Sequence, residues 1–235
     1  MLINHINIIS AGAPKLGMTK CAKFFSQNTG ISVHVDFATA PIITNTISLG
    51  ECSADIVLAP ASTIRKLAKT GHVIKNSGMN FGSVKIAVVV KTGTEEPNLL
   101  SKETLKRAIL NSKRVIFNEA SSGQYISLMI KKMGITKETH DNIMITKTGA
   151  DVINYLDGSL YYNEIGFSQV TEIQLKIDEG KNIKLVGTLP KEIEHVSTYR
   201  SALLKNSADN QPAKDMIYSM ASVEGRRICK AAGLT

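Results

Sequence analysis

The sequence predicts an α/β fold built as two lobes. Short apolar strands alternate with helical segments along the chain, a pattern typical of parallel sheets with flanking helices. Two longer strands, at residues 84–91 and 197–204, flank a central insert. The chain is therefore expected to leave one lobe, build a second and return. We expect lobe 1 at residues 1–84 plus 197–235 and lobe 2 at residues 85–196.

The bulk composition supports a self-sufficient core. The chain has 235 residues, of which 43% are hydrophobic, and should fold without a metal or a disulfide. Its net charge of +8 comes from basic residues that are scattered and interrupted by acids. A nucleic-acid partner is not expected, because such a footprint clusters on one element. The positive field favours small anions, although ordinary solubility explains it equally well.

The cysteines and the first residues of the chain carry little information. Cys21, Cys52 and Cys229 lack metal-ligand spacing, and any disulfide leaves one of them unpaired. Residues 1–5 lack a basic region, a long apolar core and a cleavage site, so we expect no signal peptide in this chain. The protein is then either cytoplasmic or a mature domain whose leader was replaced by a starting Met.

The first lobe is predicted from three strand-turn-helix units. Apolar residues form strands at 6–9, 31–37 and 56–59, and helical spacing follows each of them. The first helix has an apolar face and closes near Gly30, which can adopt the left-handed conformation. The residues expected on inner helix faces are Met18, Cys21, Ala22, Phe25, Ile43, Ile47, Ile64, Leu67 and Ala68.

The second lobe and the tail continue the same pattern. A β-branched run at residues 84–91 predicts a long buried strand, and shorter strands are expected at residues 115–117, 143–145 and 165–167. Helices are predicted from Ser101, with Leu105, Ile109 and Leu110 inward, and after residues 123 and 151. The tail, residues 212–232, is predicted to be one helix with Met216, Met220 and Ile228 inward.

Five strand-exit turns carry small or hydroxyl-bearing residues. Ligands of open α/β sheets bind beyond the carboxyl ends of strands, where these turns lie. If the five turns converge on one cleft between the lobes, they form a small-ligand site lined by backbone N–H donors. The turns contain Ser10 to Ala13, Thr39 with Ala40, Ser121 with Ser122, Gly149 to Val152, and Ser168 with Gln169.

The turn at residues 118–123 has two interpretations. It joins an apolar strand to an amphipathic helix, whose first N–H groups and positive dipole end can bind an anion. Alternatively, Ser121 or Ser122 simply caps that helix.

The sequence offers little for catalysis, cofactors or metals. Its five histidines are dispersed, and none has the spacing of a zinc hydrolase. Ser121-Ser122-Gly123 lacks the flanking glycine of a nucleophile elbow. Cys21 falls on an apolar helix face, where an inert core thiol is expected. We therefore expect no enzyme activity, no cofactor and no metal site.

Several segments, in order and spacing, resemble the molybdate-binding protein family. These are the first strand and turn at residues 6–13, residues 28–33, Ser53-Ala-Asp-Ile-Val-Leu-Ala59, and Ala120-Ser-Ser-Gly-Gln-Tyr125. The end of the chain, residues 199–205 and 224–234, also looks like the closing strand and helix of that family. The resemblance implies a two-lobed type II periplasmic-binding fold, each lobe a mixed sheet flanked by helices, with two crossing strands as hinge.

The resemblance also assigns candidate ligand residues, among which the side-chain donors differ. Ala13 and Ala40 stand where the family has two serines that grip the oxyanion, and Gln169 stands near its tyrosine donor. Ser122 and Val152 match positions that contribute backbone N–H groups. Asp151 precedes Val152 as in the family.

Substitute donors and counter-charges are also predicted. Ser10 or Thr39 can replace the missing serine hydroxyls. Arg200 stands where the family often has proline, and it is either a counter-charge or a surface arginine.

The predicted function is that of a solute receptor of an ABC importer. We expect it to bind a small anion, molybdate, tungstate or a related ligand, in the inter-lobe cleft, to work with a membrane ABC permease, and to be a monomer. It would then be periplasmic or extracytoplasmic. The alternative is a cytoplasmic ligand-sensing domain or an enzyme on the same fold.

Overall fold

A computed structural model describes residues 5–235, which form two compact units. The first runs from the start of the described chain to Val84 and includes Ser197–Thr235; the second is Lys85–Val196. Residues 1–4, on which part of the signal-peptide expectation rests, lie outside the described chain. Within residues 5–235, no helix combines the length and hydropathy needed to cross a membrane.

Strands and helices alternate through both units, as predicted. In chain order, the strands are β1 (His5–Ser10), β2 (Ser32–Phe37), β3 (Ile56–Pro60), β4 (Asn80–Lys91), β5 (Arg114–Asn118), β6 (Ile143–Thr146), β7 (Glu164–Gln169), β8 (Ile183–Thr188) and β9 (Val196–Leu203). The helices are α1 (Lys15–Thr29), α2 (Ala40–Ser48), α3 (Ala61–Lys69), α4 (Lys102–Asn111), α5 (Ser121–Lys132), α6 (Thr136–Thr139), α7 (Gly149–Gly158), α8 (Val170–Asp178), α9 (Gln211–Ala221) and α10 (Val223–Ala231).

The sheet of the first unit is mixed. Strand β1 pairs in parallel with β2 and β3, with Ser10 opposite Phe37 and Leu58, while β3 pairs antiparallel with β9. The three parallel strands therefore end at one edge, where the turns to α1, α2 and α3 begin. Asp55, just before β3, braces this sheet from the other end: its carboxylate accepts hydrogen bonds from Asn7 N, Ser207 Oγ and Asn210 Nδ2 at 2.8–2.9 Å.

The sheet of the second unit has helices on both faces. Strand β5 pairs in parallel with β6 and β7, and β4 pairs antiparallel with β7 and β8. Alternate residues of β4 face opposite sides: Ile86 and Val88 join the core that contains α4 and α5, whereas Ala87 and Val89 join the core that contains α7 and α8. Both faces are buried, which explains the continuous β-branched run in β4.

Four details of the sequence prediction were wrong. Helix α8 was not predicted, although Ile173 is fully buried on it. Leu110 is 38% exposed rather than inward. The predicted single helix at residues 212–232 is broken at Ser222, whose hydroxyl accepts a 3.1 Å hydrogen bond from Gly225 N and starts α10. Ile228 on α10 is only half-buried.

Candidate ligand-binding site

The turns after β1 and β2 lie together at the carboxyl edge of the first unit. Ala38 N donates to Ser10 O at 2.9 Å, and Ala11 N donates to Leu58 O at 2.8 Å. Ser10 is fully buried, and its hydroxyl donates to Ala11 O at 3.0 Å. The Ser10 hydroxyl is therefore used within the turn. Ala13 lies in the same turn and is also buried.

Thr39 is the better placed substitute donor. It occupies the N-cap position of α2, is half-exposed, and makes no side-chain capping hydrogen bond. Helix α2 then begins with Ala40 and Pro41. The first N–H groups of a helix have no acceptor within it, and proline has no N–H. The donors at this helix end are therefore the Ala40 and Ile42 N–H groups and the Thr39 hydroxyl.

A cation that sequence reasoning missed lies at this edge. Lys15 begins α1, and its Nζ lies 5.3 Å from the centroid of the Phe37 ring, at the end of β2. The ammonium group thus stands beside the turn that leads to Thr39. A lysine that directly follows a strand-exit turn was the available signal.

Arg200 lies elsewhere in the first unit. It is on β9 opposite Ala59, is exposed, and lines a cavity of about 280 Å³ that runs beside α3. Arg65 and Lys75 line the same cavity. Arg200 therefore belongs to a basic groove along α3.

In the second unit, α5 begins without a serine cap. Its N-cap residue is Ala120, and Ser121 and Ser122 are the first two residues of the helix. The interpretation of either serine as the cap was wrong, because both lie within the helix and the N-cap residue is Ala120. The Asn118 side chain instead fixes the turn before the helix: its Oδ1 accepts from Ala120 N at 2.9 Å, and its Nδ2 donates to Ser122 Oγ at 3.2 Å. Ser122 is buried, whereas Ser121 is half-exposed. The N–H groups of Ser121, Ser122 and Gly123 are the donors of this helix end.

Gly123 fixes the position of that helix end. A Cβ at this residue would lie 1.5 Å from Asn118 O, a backbone atom at the end of β5. Only glycine lets α5 start this close to the strand. The three N–H donors are therefore held against the carboxyl edge of the sheet.

Helix α7 begins at the same edge, because Asn118 of β5 is in register with Thr146 of β6. Asp151 and Thr148 form a capping box, in which Asp151 Oδ2 accepts from Thr148 N at 3.0 Å and Asp151 N donates to Thr148 Oγ1 at 3.2 Å. The Val152 side chain is fully buried, and its N–H donates to Thr148 O at 3.4 Å. The uncommitted donors of this turn are the first two N–H groups of α7, at residues 149 and 150.

The exit of β7 brings a carboxylate to this edge that the sequence analysis did not single out. Glu172 Oε2 accepts from Ser168 Oγ at 2.9 Å and from Gln169 N at 3.4 Å. Burial raises the pKa of Glu172, the two hydrogen bonds oppose that rise, and the charge of Asp151 adds to it. A Cβ on Gly149 would lie 2.1 Å from Glu172 Oε2, so the carboxylate packs directly on the start of α7.

The described residues contain no group of three or more His, Cys, Asp or Glu side chains able to hold a metal ion. Each unit instead presents helix N-termini at the carboxyl edge of its sheet. Such groups bind anions and polar ligands through backbone N–H donors.

Comparisons with known proteins identify the class. The sequence pattern of the bacterial extracellular solute-binding proteins matches residues 6–235, and the chain belongs to that family. The fold resembles the periplasmic molybdate-binding protein of Azotobacter vinelandii (TM-score 0.77, 14% identity, 98% of each chain). It also resembles the sulfate-binding protein of Mycobacterium tuberculosis (TM-score 0.76, 19% identity, 98% of this chain and 86% of that one).

One similar protein is named as an enzyme rather than as a binding protein. Aconitate isomerase from a Pseudomonas species is 25% identical over 243 residues, covering 99% of this chain and 88% of that protein.

The fold class predicted from the sequence is confirmed by the structural neighbours. Family membership supports solute binding and an extracytoplasmic location. At 14% identity, the molybdate-binding protein supports the fold alone.

Proposed function

We propose that this protein is the solute receptor of an ABC importer and binds a small anion through helix N-termini. The observation that carries the proposal is the common edge of β5 and β6, where α5 and α7 begin with N–H groups that no side chain caps at residues 121–123 and 149–150. These groups are fixed dipoles that favour negative charge. The net charge of +8 adds a favourable field.

The first unit supplies a second set of donors for the proposal. Thr39, the start of α2 and the Lys15 ammonium group lie at the carboxyl edge of its own sheet. The expectation that one ligand is shared between the two lobes remains a prediction. Variants in either unit test it.

The ligand we propose is an organic polyanion rather than molybdate. Alanines occupy the two positions of the oxyanion-gripping serines, and the hydroxyls of Ser10 and Ser122 are used internally. Each missing hydrogen bond to a charged ligand costs about 1.5–3 kcal/mol. Glu172 packs on the start of α7, so a compact dianion would bring its full charge close to that carboxylate, whereas an extended polycarboxylate divides its charge between the starts of α5 and α7.

An enzyme on the same fold is the second candidate, favoured by the aconitate isomerase that spans 99% of this chain. Aconitate is a tricarboxylate, so the receptor and the enzyme candidates both predict that a polycarboxylate is bound by the same N–H donors. They differ in whether the bound molecule is changed. The permease partner, the monomeric state and the extracytoplasmic location belong to the receptor proposal.

Isothermal titration calorimetry with molybdate, tungstate, sulfate, phosphate, citrate and both aconitate isomers tests the ligand class. We expect one-to-one binding of a polycarboxylate. The absence of both heat and thermal shift with every anion would overturn the anion proposal. Proton NMR of each aconitate isomer with the protein separates the two candidates, since interconversion of the isomers would overturn the receptor proposal.

Two substitutions at Ser121 test the backbone donors. Proline is tolerated at the first position of a helix and removes one N–H. Ser121→Pro should weaken binding roughly 10- to 100-fold, and more than Ser121→Ala, which removes only the hydroxyl. Val223→Pro, at the first position of α10, is the matched control and should bind as the unchanged protein does. Equal affinities for Ser121→Pro and the control would place the ligand elsewhere.

A further inference from the structure

The first and last helices of the first unit bring two cysteines into contact. Cys21 lies on the inner face of α1 and Cys229 on the inner face of α10, and both are buried, with exposures of 2% and 4%. Their Sγ atoms are 3.9 Å apart. The two residues are 208 positions apart in the sequence, so only the fold brings them together.

We propose that Cys21 and Cys229 are a disulfide-forming pair that cross-links α1 to α10. Two thiols in van der Waals contact need a shift of about 2 Å to reach bonding distance, which side-chain rotation of the kind allowed at cysteine can supply. The third cysteine, Cys52, is half-exposed in the segment before β3. The odd number of cysteines therefore resolves into one buried pair and one separate thiol.

The two thiols differ in readiness to react. The hydrogen bond between them lowers the pKa of Cys229 and raises that of Cys21, and burial raises the Cys21 pKa further. We take Cys229 as the attacking residue, with its thiolate as the attacking species, because of its place in the fold. It lies on the last helix of the chain, a nine-residue element that can open more readily than the sheet.

The oxidant is a small-molecule or protein disulfide. The Cys229 thiolate attacks one of its sulfur atoms, forms a mixed disulfide and releases one thiolate. Cys21 then gives its proton to that thiolate, its sulfur attacks Sγ of Cys229, and the second external sulfur leaves as a thiolate that takes up the proton Cys229 lost on ionising. Two protein thiols are oxidised to one disulfide, and one external disulfide is reduced to two thiols.

The cross-link would close a loop that contains the whole second unit. A disulfide restricts the unfolded chain, and the effect grows with loop length. We expect oxidation to raise the Tm of the first unit by roughly 10 °C. An oxidising extracytoplasmic compartment would maintain the disulfide. Formation of the disulfide with oxidised glutathione in vitro depends on neither the proposed ligand nor the proposed location.

Peptide mapping tests the pairing directly. The full chain, both folded and during refolding from urea, is equilibrated with oxidised and reduced glutathione, alkylated after denaturation and digested without reductant. We expect a linked pair of peptides that contain Cys21 and Cys229, two hydrogens lighter than the free peptides, with Cys52 outside the link. Alkylated or glutathione-modified Cys21 and Cys229 in both preparations, or a link to Cys52, would overturn the proposal.

Thermal unfolding tests the effect on stability. Cys52→Ser retains the pair and should show a higher Tm when oxidised than when reduced. Cys21→Ser/Cys52→Ser lacks the pair, and its Tm should be the same in both conditions. Cys21→Ala/Cys229→Ala keeps a small apolar contact and serves as a second control where serine perturbs folding. An equal Tm for oxidised and reduced Cys52→Ser would overturn the stabilising role.

Discussion

Replacing Gly123 by alanine should destabilise the second unit strongly. The new Cβ would lie 1.5 Å from Asn118 O and 2.5 Å from its carbonyl carbon, whereas Cβ atoms essentially never approach other heavy atoms within 3.0 Å. The start of α5 must therefore move by about 1.5 Å. No side-chain rotation can relieve this contact, because both atoms of Asn118 belong to the backbone.

The expected magnitude follows from the rigidity of the contact. Overpacking a well-packed core costs about 1–3 kcal/mol, and a clash with backbone belongs at the upper end. A loss of about 3 kcal/mol lowers the Tm of a protein of this size by roughly 6–12 °C. The shift would also carry the N–H groups of residues 121–123 away from the sheet edge, so anion affinity should fall together with stability.

Thermal unfolding followed by circular dichroism measures the effect, with Gly158→Ala as the matched control. Gly158 is the exposed last residue of α7, and no atom lies within 4 Å of its Cβ position. The control should equal or slightly exceed the unchanged protein in Tm, because alanine favours helix. A Tm for Gly123→Ala within 2 °C of the control, a margin of roughly 1 kcal/mol at most, would refute the close approach of α5 to β5.

Three further predictions concern single side chains. Asp55→Ala leaves three hydrogen-bond donors without their charged acceptor, so the free energy of unfolding in urea should fall by about 4 kcal/mol. The exposed control Asp36→Ala should lose less than about 0.5 kcal/mol, and equal losses would contradict the bracing role of Asp55. Burial raises the pKa of Glu172 above its unfolded value, so the folded protein holds this proton more tightly than the unfolded chain does. The stabilisation by the protonated carboxyl is fully present below about pH 4 and is lost as pH rises through the folded pKa. The Tm advantage of Glu172→Gln should therefore grow from pH 4 upward, whereas Glu138→Gln, exposed on α6, should show a constant difference. Lys15→Gln should weaken anion binding about 3- to 10-fold and flatten its salt dependence, while Lys20→Gln, farther along α1, should change neither.

Much of the fold could be predicted because its signals are local. The buried strands β3, β4 and β5 are continuous apolar runs, and the inner faces of α1 and α5 repeat at helical spacing. The break at Ser222 was missed because the apolar pattern of α9 and α10 continues across it. A serine three residues before a glycine was the signal, and the glycine is required because Gly225 packs against the carbonyl groups of Ser219 and Met220.

The candidate site was only partly predictable, since its chemistry depends on which groups the fold has already used. The strand-exit turns were located correctly in the sequence, yet nothing in the local pattern shows that the Ser122 hydroxyl bonds to Asn118, or that the Ser10 hydroxyl bonds within its own turn. Glu172 was missed because it follows the β7 exit by three residues and reaches back to it. These hydrogen bonds depend on the three-dimensional fold. The number of hydroxyl-bearing residues in the sequence therefore overestimates the number of donors available to a ligand.

The same distinction bears on the ligand. A site that keeps its backbone donors while its side-chain donors are alanine or are bonded internally retains a preference for negative charge but loses the geometry that fits one compact oxyanion. Backbone N–H groups at two separate helix ends, α5 and α7, can each hold a different carboxylate of one molecule. If citrate or aconitate binds and molybdate does not, Ser121→Pro should weaken the polycarboxylate by the loss of a single carboxylate contact, roughly 10- to 100-fold. A loss of affinity much larger than this would show that the two helix ends act on one group of the ligand.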